Sequence, residues 1–436
     1  MSGRPLALAR RLGPFDAAMI VMGGMVGAGI FVNPAVVARE VPSAALSILA
    51  WAAGGAIALL GAFLYAEMAE RLPEAGGQYA YLREAWHPLL GFLYGWTLLL
   101  VTGSGGQAAV AMTFARYLKV LTGLEAPEGA VAVATIAAVA AVNLLGVRAG
   151  GSLQSALMVT KAAAIALLVF AGFLAAAAPA APPDAAAALP ASGLVAAFGA
   201  ALVPVFFAYG GYQNTGFAAE ELKNPVRDLP RGLLWGVSGV IVLYVSVAAV
   251  SVRVLGAAGL AATGTPASDV MTRALGPAGG RLIALGIAVS TLGFLSHGVL
   301  TLPRAYFAMA RDGVFFRKVA TLTPRSRVPA MAILLQAGVA AALALSGRYE
   351  QVLAFVMSVD GLFFAATGAA LFVFRRRPGP LPRVVLPGHP VTTLIFTAAC
   401  LFVAGSAWLR YPANSAAGMG ILLSGVPAYL LWSRKR

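Results

Sequence analysis

The chain has 436 residues, of which 60% are hydrophobic and only 11% are charged. This composition excludes a soluble domain, and the apolar stretches repeatedly reach the ~20 residues that cross a bilayer as a helix. The single cysteine excludes a disulfide framework and a cysteine-based metal site, so we expect no metal and no cofactor. The 31 lysines and arginines exceed the 16 acids. We attribute this excess to loop charges that orient a membrane protein and not to nucleic-acid binding.

Twelve apolar segments follow one another along the chain, with prolines in many of the loops between them. The segments lie at about 15–38, 44–70, 88–117, 129–147, 153–178, 193–221, 232–256, 280–310, 328–346, 351–374, 390–410 and 415–433. No long polar stretch divides the sequence into two halves. The pattern therefore predicts an all-α polytopic membrane protein with a single transmembrane domain, residues 1–436.

The first segment contains a cluster of glycines. Gly23, Gly24, Gly27 and Gly29 lie within it, and each glycine is about 1 kcal/mol less favourable than alanine inside a helix. Non-helical backbone at membrane depth is tolerated only where protein or a watery cavity covers it. Close packing through small residues is the simpler alternative. We interpret the cluster as a break near Gly27, where two half-helices meet at a substrate site.

The sixth segment, 193–221, is interrupted in the same way. It contains Pro204, then Gly210 and Gly211, and then a polar run that includes Gln213. Broken helices at matching positions in two halves indicate a transporter site between inverted repeats. The predicted repeats and trailing helices span about 15–178, 193–374 and 390–433.

Four motifs identify the family that this chain resembles. They are GAGIF at Gly27–Phe31, YAEMAERLPEAGGQYAYLREAWHP at Tyr65–Pro88, FFAYGGYQNTGFAAEELKNPVRDLP at Phe206–Pro230 and AYFAMARDG at Ala305–Gly313. Together and in this order they resemble the amino acid–polyamine–organocation (APC) superfamily over essentially the full length. The resemblance implies a 5+5 inverted-repeat (LeuT-like) core with helices 1 and 6 broken, two trailing helices, and 12 transmembrane helices in all.

The resemblance also implies which groups bind a substrate. The N–H groups of Gly27, Ala28 and Gly29 would hold a carboxylate at the positive end of the second half-helix. The carbonyls of Met25, Phe207 and Gly210 would accept hydrogen bonds from an ammonium group. The implied substrate-binding residues are Met25, Val26, Gly27, Ala28, Gly29, Ile30, Phe207, Ala208, Tyr209, Gly210 and Gln213. Parts of segments three and eight, Gly103–Gln107 and Ser290–Phe294, are expected to complete the side-chain pocket.

Lys161, Asp360 and His297 are ionisable residues inside apolar segments. Lys161 is in the middle of segment five, where a charge costs about 2.5–3.5 kcal/mol and normally faces the protein interior. Many sodium-independent relatives carry a lysine there, so we expect Lys161 to act in coupling and to donate to carbonyls near Gly23–Gly24. Asp360 is the second coupling candidate, as a proton site or as a residue facing the outer vestibule. His297 is expected to be a satisfied polar contact, and a proton relay is the alternative.

The basic residues predict the orientation in the membrane. With the N-terminus inside, 21 lysines and arginines fall on the cytoplasmic side and 8 on the other side, and the remaining two, Lys161 and Arg304, fall within segments. This bias places both termini in the cytoplasm. The richness in alanine, glycine, proline and arginine suggests a bacterial cytoplasmic (inner) membrane.

These observations predict a secondary active transporter that moves a neutral α-amino acid by alternating access. We expect it to be sodium-independent, either proton-coupled or exchanging, with lipid and a proton as further partners. A cationic amino acid or polyamine exchanger is the alternative, and it would need an acid in the pocket, for which Asp360 is the candidate. The three histidines are dispersed and form no metalloprotease motif, which argues against an enzyme. Charged pore rings, which would indicate a channel, are missing from the sequence.

Overall fold

A computed structural model describes residues 10–41, 43–73, 76–177, 191–346, 349–379 and 381–433. Within these residues the regular structure is helical, as the composition predicts, and one isolated parallel bridge joins Leu12 to Leu222. Residues 178–190 and both chain ends lie outside the described residues. The orientation in the membrane therefore stays a prediction.

The helices are numbered in chain order. They are α1 Pro14–Met25, α2 Gly29–Glu40, α3 Ala44–Arg71, α4 Gln78–Ala85, α5 Pro88–Thr97, α6 Gly103–Thr122, α7 Glu128–Leu144, α8 Val147–Leu174, α9 Ala191–Tyr209, α10 Pro225–Ala262, α11 Pro266–Leu275, α12 Pro277–Thr301, α13 Pro303–Arg311, α14 Ala330–Ser346, α15 Tyr349–Arg376, α16 Val391–Arg410 and α17 Pro412–Ser433. A π-helix, Leu98–Thr102, joins α5 to α6, and two 3-10 helices span Tyr212–Glu221 and Arg317–Ala320.

Eight helices in the described residues are long and apolar enough to cross a membrane, and the bent pair α1 and α2 makes a ninth. The chain is therefore a multi-pass membrane protein. Two predicted segments correspond to α7 and α14, which are apolar but have only 17 residues each. A further predicted segment, 351–374, falls on α15. The count of twelve membrane helices stays a prediction.

The first helix is interrupted between Met25 and Gly29, and its two parts are bent by 43°. Val26 has extended backbone angles, and the Gly27 N–H turns back to the Met25 carbonyl at 3.0 Å. Because Gly27 bonds two residues back and not four, the α-helical ladder stops here. The chain is helical again from Gly29.

The second interruption follows α9. The Gly210 N–H still bonds the Phe206 carbonyl at 2.8 Å, but Gly211 has φ +109°, a conformation that residues with a Cβ rarely adopt. The chain then continues as the 3-10 helix Tyr212–Glu221. Glycine at position 211 therefore allows the chain to leave α9 and turn into the 3-10 helix.

Small residues bring α1 close to its neighbours. A Cβ on Gly232 or Gly236 of α10 would lie 2.6 Å from side-chain atoms of Ala17 or Val21. Glycine therefore lets α10 pack directly on α1, as is common between membrane helices. The helices α8 and α12 also pack on α1, and α9 packs on α2. The break in the first helix is consequently enclosed by several helices.

Candidate functional site

The two interrupted helices touch through their backbones. A Cβ built on Gly211 would lie 2.1 Å from the Gly24 carbonyl oxygen. No residue other than glycine therefore fits at position 211 between the two backbone segments. The structure thus brings residues 24–30 of the first segment next to residues 207–211 of the sixth.

Lys161 reaches the break from α8. It is fully buried, and its ammonium donates to the carbonyls of Gly23, at 3.2 Å, and of Val26. A buried charge is costly unless it has polar partners, and these two carbonyls supply them. The contact expected near Gly23–Gly24 is present at Gly23, while Val26 takes the place expected for Gly24.

Two further side chains bind carbonyls of the break. The Tyr244 hydroxyl donates to the Met25 carbonyl at 2.7 Å, and the Ser290 hydroxyl donates to the Gly27 carbonyl at 3.1 Å. Three consecutive carbonyls, at Met25, Val26 and Gly27, therefore accept from α10, α8 and α12. The sequence did not single out Tyr244, since a tyrosine in an apolar segment looks like an ordinary core residue.

The Met25 carbonyl was expected to accept from a substrate ammonium, but in this conformation it is already occupied. It accepts from both Tyr244 and the Gly27 N–H, which engages its two lone pairs. The Gly27 N–H is likewise committed, so it is not free for a carboxylate in this conformation. The remaining expected donors are the N–H groups of Ala28 and Gly29. With the N–H group of Ile30 they lie at the start of α2, where a helix leaves its first N–H groups without intrahelical partners.

The start of α2 faces the end of α9. A Cβ on Gly29 would lie 3.7 Å from the Ala208 Cβ, and the Asn33 amide donates to the Pro204 carbonyl at 2.9 Å. The last carbonyls of α9, including that of Phe207, belong to the helix end that lacks intrahelical donors. A positive helix end and a negative helix end are thus placed side by side. This arrangement suits a molecule that carries both charges.

Tyr209 and Gln213 support the second break. The side-chain oxygen Oε1 of Gln213 accepts from the Gly211 N–H at 2.8 Å. The Tyr209 ring packs against Trp51 and Tyr244, with centroids 5.9 and 5.1 Å apart. Val26, Ile30 and Ala208 are buried as well, and Phe207 and Gly210 are partly exposed.

A narrow apolar cavity borders the second break. It lies between α3, α9, α15 and α16 and is not formed by segments three and eight, where a side-chain pocket was expected. Its lining is uncharged and consists of Gly54, Ile57, Ala58, Phe206, Tyr209, Gly210, Tyr212, Phe364, Phe396 and Cys400.

Asp360 lies on α15, near Tyr94 of α5. It is partly exposed and close enough to Tyr94 to interact electrostatically, and the Tyr94 ring packs 5.2 Å from Phe363 of α15. The helix α15 also packs against the π-helix. The structure thus places Asp360 beside α5 and the π-helix, and gives it no ion-pair partner among the described residues.

A buried ion pair lies at the end of the 3-10 helix Tyr212–Glu221. Arg304 of α13 donates to both carboxylate oxygens of Glu221, at 3.1 and 2.9 Å, and both side chains are almost completely buried. The Glu221 carbonyl also accepts from the N–H groups of Arg11 and Leu12, at 2.9 and 3.1 Å. The segment before α1 is therefore fastened to the end of the 3-10 helix. The sequence alone does not indicate that Glu221 and Arg304 are partners, because they are 83 residues apart.

A second polar network lies outside the membrane-spanning helices. The Tyr79 hydroxyl donates to Asp312 at 2.7 Å, and Arg83 forms an ion pair with the same carboxylate. Burial raises the pKa of Tyr79 well above its usual range, and Asp312 adds to the rise. The phenol therefore stays a donor, and α4 is held against the end of α13.

A metal site does not emerge from the described part of the chain. There, no group of three or more His, Cys, Asp and Glu side chains is placed to hold an ion. The chemistry available at the break is consequently hydrogen bonding by backbone groups, helix dipoles and one buried ammonium.

Comparison with known proteins gives a consistent picture. Residues 12–430 match the model of the family described as amino acid permease. The chain is 28% identical to the serine/threonine exchanger SteT of Bacillus subtilis (strain 168), over 97% of this chain and 96% of that protein. It is 28% identical to the large neutral amino acids transporter small subunit 2 of Homo sapiens, over 99% and 83% of the two chains. Its identity to the b(0,+)-type amino acid transporter 1 of Homo sapiens is 27%, over 92% and 84%.

Proposed function

This chain belongs to the amino acid permease family, and from that premise we propose that it is a secondary active transporter of a neutral α-amino acid. It works by alternating access, with the substrate bound between the two interrupted helices. A family of permeases is a transporter family, so an enzymatic activity is not part of the proposal.

The observation that carries the proposal is the juxtaposition of the α2 start and the α9 end. The N–H groups of Ala28, Gly29 and Ile30 bind the substrate carboxylate, favoured by the positive end of the helix dipole. The carbonyls of Phe207 and Gly210 accept from the substrate ammonium. Backbone groups thus recognise the part that all α-amino acids share, and Gly27 and Met25 shape the turn.

The uncharged surroundings support a neutral side chain. The cavity beside Gly210 has apolar and aromatic lining, and burying an unpaired cation there would be costly. Two of the relatives are named for serine and threonine and for large neutral amino acids. In the alternative, a cationic amino acid or polyamine exchanger, Asp360 would bind the positive charge of the substrate. The experiment below tests this alternative.

The coupling proposal rests on Lys161. Its ammonium occupies the carbonyls of Gly23 and Val26, where a bound cation would otherwise compensate the freed backbone. Transport is therefore independent of sodium and is driven by a proton or by exchange for another amino acid. Asp360 is the second candidate for a coupling residue.

The proposed architecture has twelve transmembrane helices in one domain, residues 1–436. Two inverted repeats, about 15–178 and 193–374, are followed by two trailing helices at 390–433. Both termini lie in the cytoplasm, and the protein resides in a bacterial inner membrane. The pairing of the two glycine breaks and the distribution of basic residues support this arrangement.

The decisive experiment is a thermal-shift screen of the purified protein against the twenty amino acids and common polyamines. A ligand that binds the folded state raises its apparent stability. We expect stabilisation by one or more neutral amino acids, followed by saturable uptake of the same compounds into proteoliposomes. Arginine or putrescine uptake that is lost in Asp360→Asn would replace the neutral substrate with the cationic alternative.

A further inference from the structure

A line of buried polar side chains runs along α12 and α13. Ser290, His297 and Thr301 are spaced by seven and four residues, so they share one helix face, and Arg304 follows three residues later. All four are at most 1% exposed. Ser290 contacts the break at Gly27, and Arg304 contacts Glu221. The line thus connects the substrate site with the buried ion pair.

A second polar side chain faces this line from α8. Gln154 lies seven residues before Lys161, on the same helix face, and both are fully buried. A Cβ on Gly23 would lie 1.6 Å from Gln154 Nε2, and a Cβ on Gly24 would lie 2.5 Å from His297 Nε2. The two glycines therefore let an amide and an imidazole approach the α1 backbone from two different helices.

These side chains retain unused hydrogen-bonding capacity. Among the described residues, both amide atoms of Gln154 and the Nδ1 atom of His297 lack a partner. Such a group costs about 1–3 kcal/mol when it is buried unpaired, whereas leucine or methionine would fill the same space without that cost. Buried polar groups of this kind usually bind water. The contacts with Gly23 and Gly24 place them next to the carbonyl that holds Lys161.

We propose that Gln154 and His297 hold a chain of water molecules along which the coupling proton moves between Lys161 and the Glu221–Arg304 end of the protein. The proposal rests on the proposed function in one respect, the role of Lys161 in coupling. A proton released from Lys161 Nζ passes through water to His297 Nδ1, while the proton on Nε2 passes to the Thr301 hydroxyl oxygen, 3.3 Å away. The Thr301 hydroxyl gives up its own proton to water, which carries it to the solvent at the Glu221–Arg304 end of the protein. The ring gains no net charge. Neutral Lys161 then holds Gly23 and Val26 less strongly, which frees α1 to move.

The charged groups around His297 fit this path. Lys161 faces it from α8, and the pair Glu221–Arg304 lies on the 3-10 helix and α13, at the far end of the polar line. On α1, Asp16 is engaged by the Gly13 N–H and by the Ser155 hydroxyl, at 2.9 and 3.2 Å. The helix α6 contributes the neutral Gln107.

The test compares proton movement with amino acid exchange in proteoliposomes that contain the dye pyranine. The variants are His297→Leu, Gln154→Leu and the milder His297→Gln, which keeps hydrogen-bonding groups but removes the ring. Asn143→Leu is the matched control. Like the test residues, Asn143 is buried and has an unpartnered side-chain atom, Oδ1, which would lie 2.3 Å from a Cβ on Gly150. Unlike them it lies on α7, outside the proposed proton path. Thermal melting and the ligand-induced thermal shift report folding and substrate binding.

We expect substrate-driven proton movement and pH-driven accumulation to fall at least about tenfold in the three test variants, since a positioned proton-transfer group typically contributes 10²–10⁴-fold. Exchange at equal pH should change far less, and Asn143→Leu should keep the wild-type ratio of the two activities. Equal losses of exchange and proton movement in His297→Gln would reduce the residue to a structural role. Undiminished proton movement in both leucine variants would also overturn the proposal.

The same measurements separate this inference from the proposed function. A wild-type protein that binds and exchanges amino acids but moves no protons would refute the water path and proton coupling together. A wild-type protein that binds no amino acid would refute the proposed function itself. Proton-driven uptake in the wild type that persists in His297→Leu and Gln154→Leu would refute the water path alone.

Discussion

The contact between Gly211 and Gly24 offers a sharp test of the site, through the substitution Gly211→Ala. The new methyl carbon would lie 2.1 Å from the Gly24 carbonyl oxygen, and ordinary contact begins at 3.4 Å. The two interrupted segments would have to separate by about 1.3 Å, because protein interiors have little free space to absorb the methyl group. Gly211 also has φ +109°, a region that L-residues occupy at a cost of about 1–2 kcal/mol.

We expect Gly211→Ala to lower transport by about a hundredfold, because a 1 Å displacement of binding groups typically has an effect of that size. Substrate affinity should fall as well, since the α2 start and the α9 end would move apart. The assay is uptake of the best substrate from the thermal-shift screen, together with the shift that this substrate produces in the variant.

A glycine outside the site provides the control. A Cβ on Gly338 of α14 would meet nothing within 4 Å, so Gly338→Ala should keep most of the activity. Wild-type affinity and uptake in a stably folded Gly211→Ala would refute the reasoning. So would an equal loss of activity in both variants, because it would show a general sensitivity to alanine and not contact between the two breaks.

Three further predictions concern the same region. Gly29→Val should abolish substrate binding while the protein remains folded. A Cβ on residue 29 would already lie 3.3 Å from Asn33 Nδ2, and the two methyl groups of valine would cover the N–H groups at the start of α2. A normal substrate-induced thermal shift would contradict this. Uptake should be unaffected when sodium is replaced by choline, and Lys161→Ala should lose transport more than binding; a sodium requirement in the wild type would disprove the coupling proposal. Arg304→Met should lower the free energy of unfolding by about 3–5 kcal/mol because it leaves a buried carboxylate unpaired; adding Glu221→Gln should recover much of that loss in thermal melting.

The helices and the two breaks could be predicted because their signals are local. Apolar stretches of membrane length mark helices, and glycine is the residue that tolerates the backbone of Gly211. Lys161 could be predicted to face the interior because a charge at that depth needs polar partners. Even so, the exact acceptors depended on the register of α8 against α1, and Val26 was found where Gly24 was expected.

Contacts between segments that are distant in the chain could not be predicted from the sequence in the same way. Tyr244 and Ser290 have no local feature that separates them from other polar residues in apolar helices, yet both bind carbonyls of the break. Arg304 was placed within a segment, but its partner Glu221 is 83 residues away. Which residues face each other across the bundle follows from helix packing, which a single sequence does not display.

The hydrogen bonds at the first break explain how a gap in a helix can be both rigid and movable. Met25, Val26 and Gly27 each offer a carbonyl to a side chain from a different helix, so the shape of the break depends on α8, α10 and α12 together. Each helix contributes only one or two bonds, and a typical hydrogen bond stabilises by about 0.5–1.5 kcal/mol. We therefore expect that weakening the bond from one helix lowers the free-energy cost of moving α1 relative to α2. Of these three donors, Lys161 is the one that loses a positive charge when a proton leaves, which is why we propose it as the point where a proton gradient acts on the proposed substrate site.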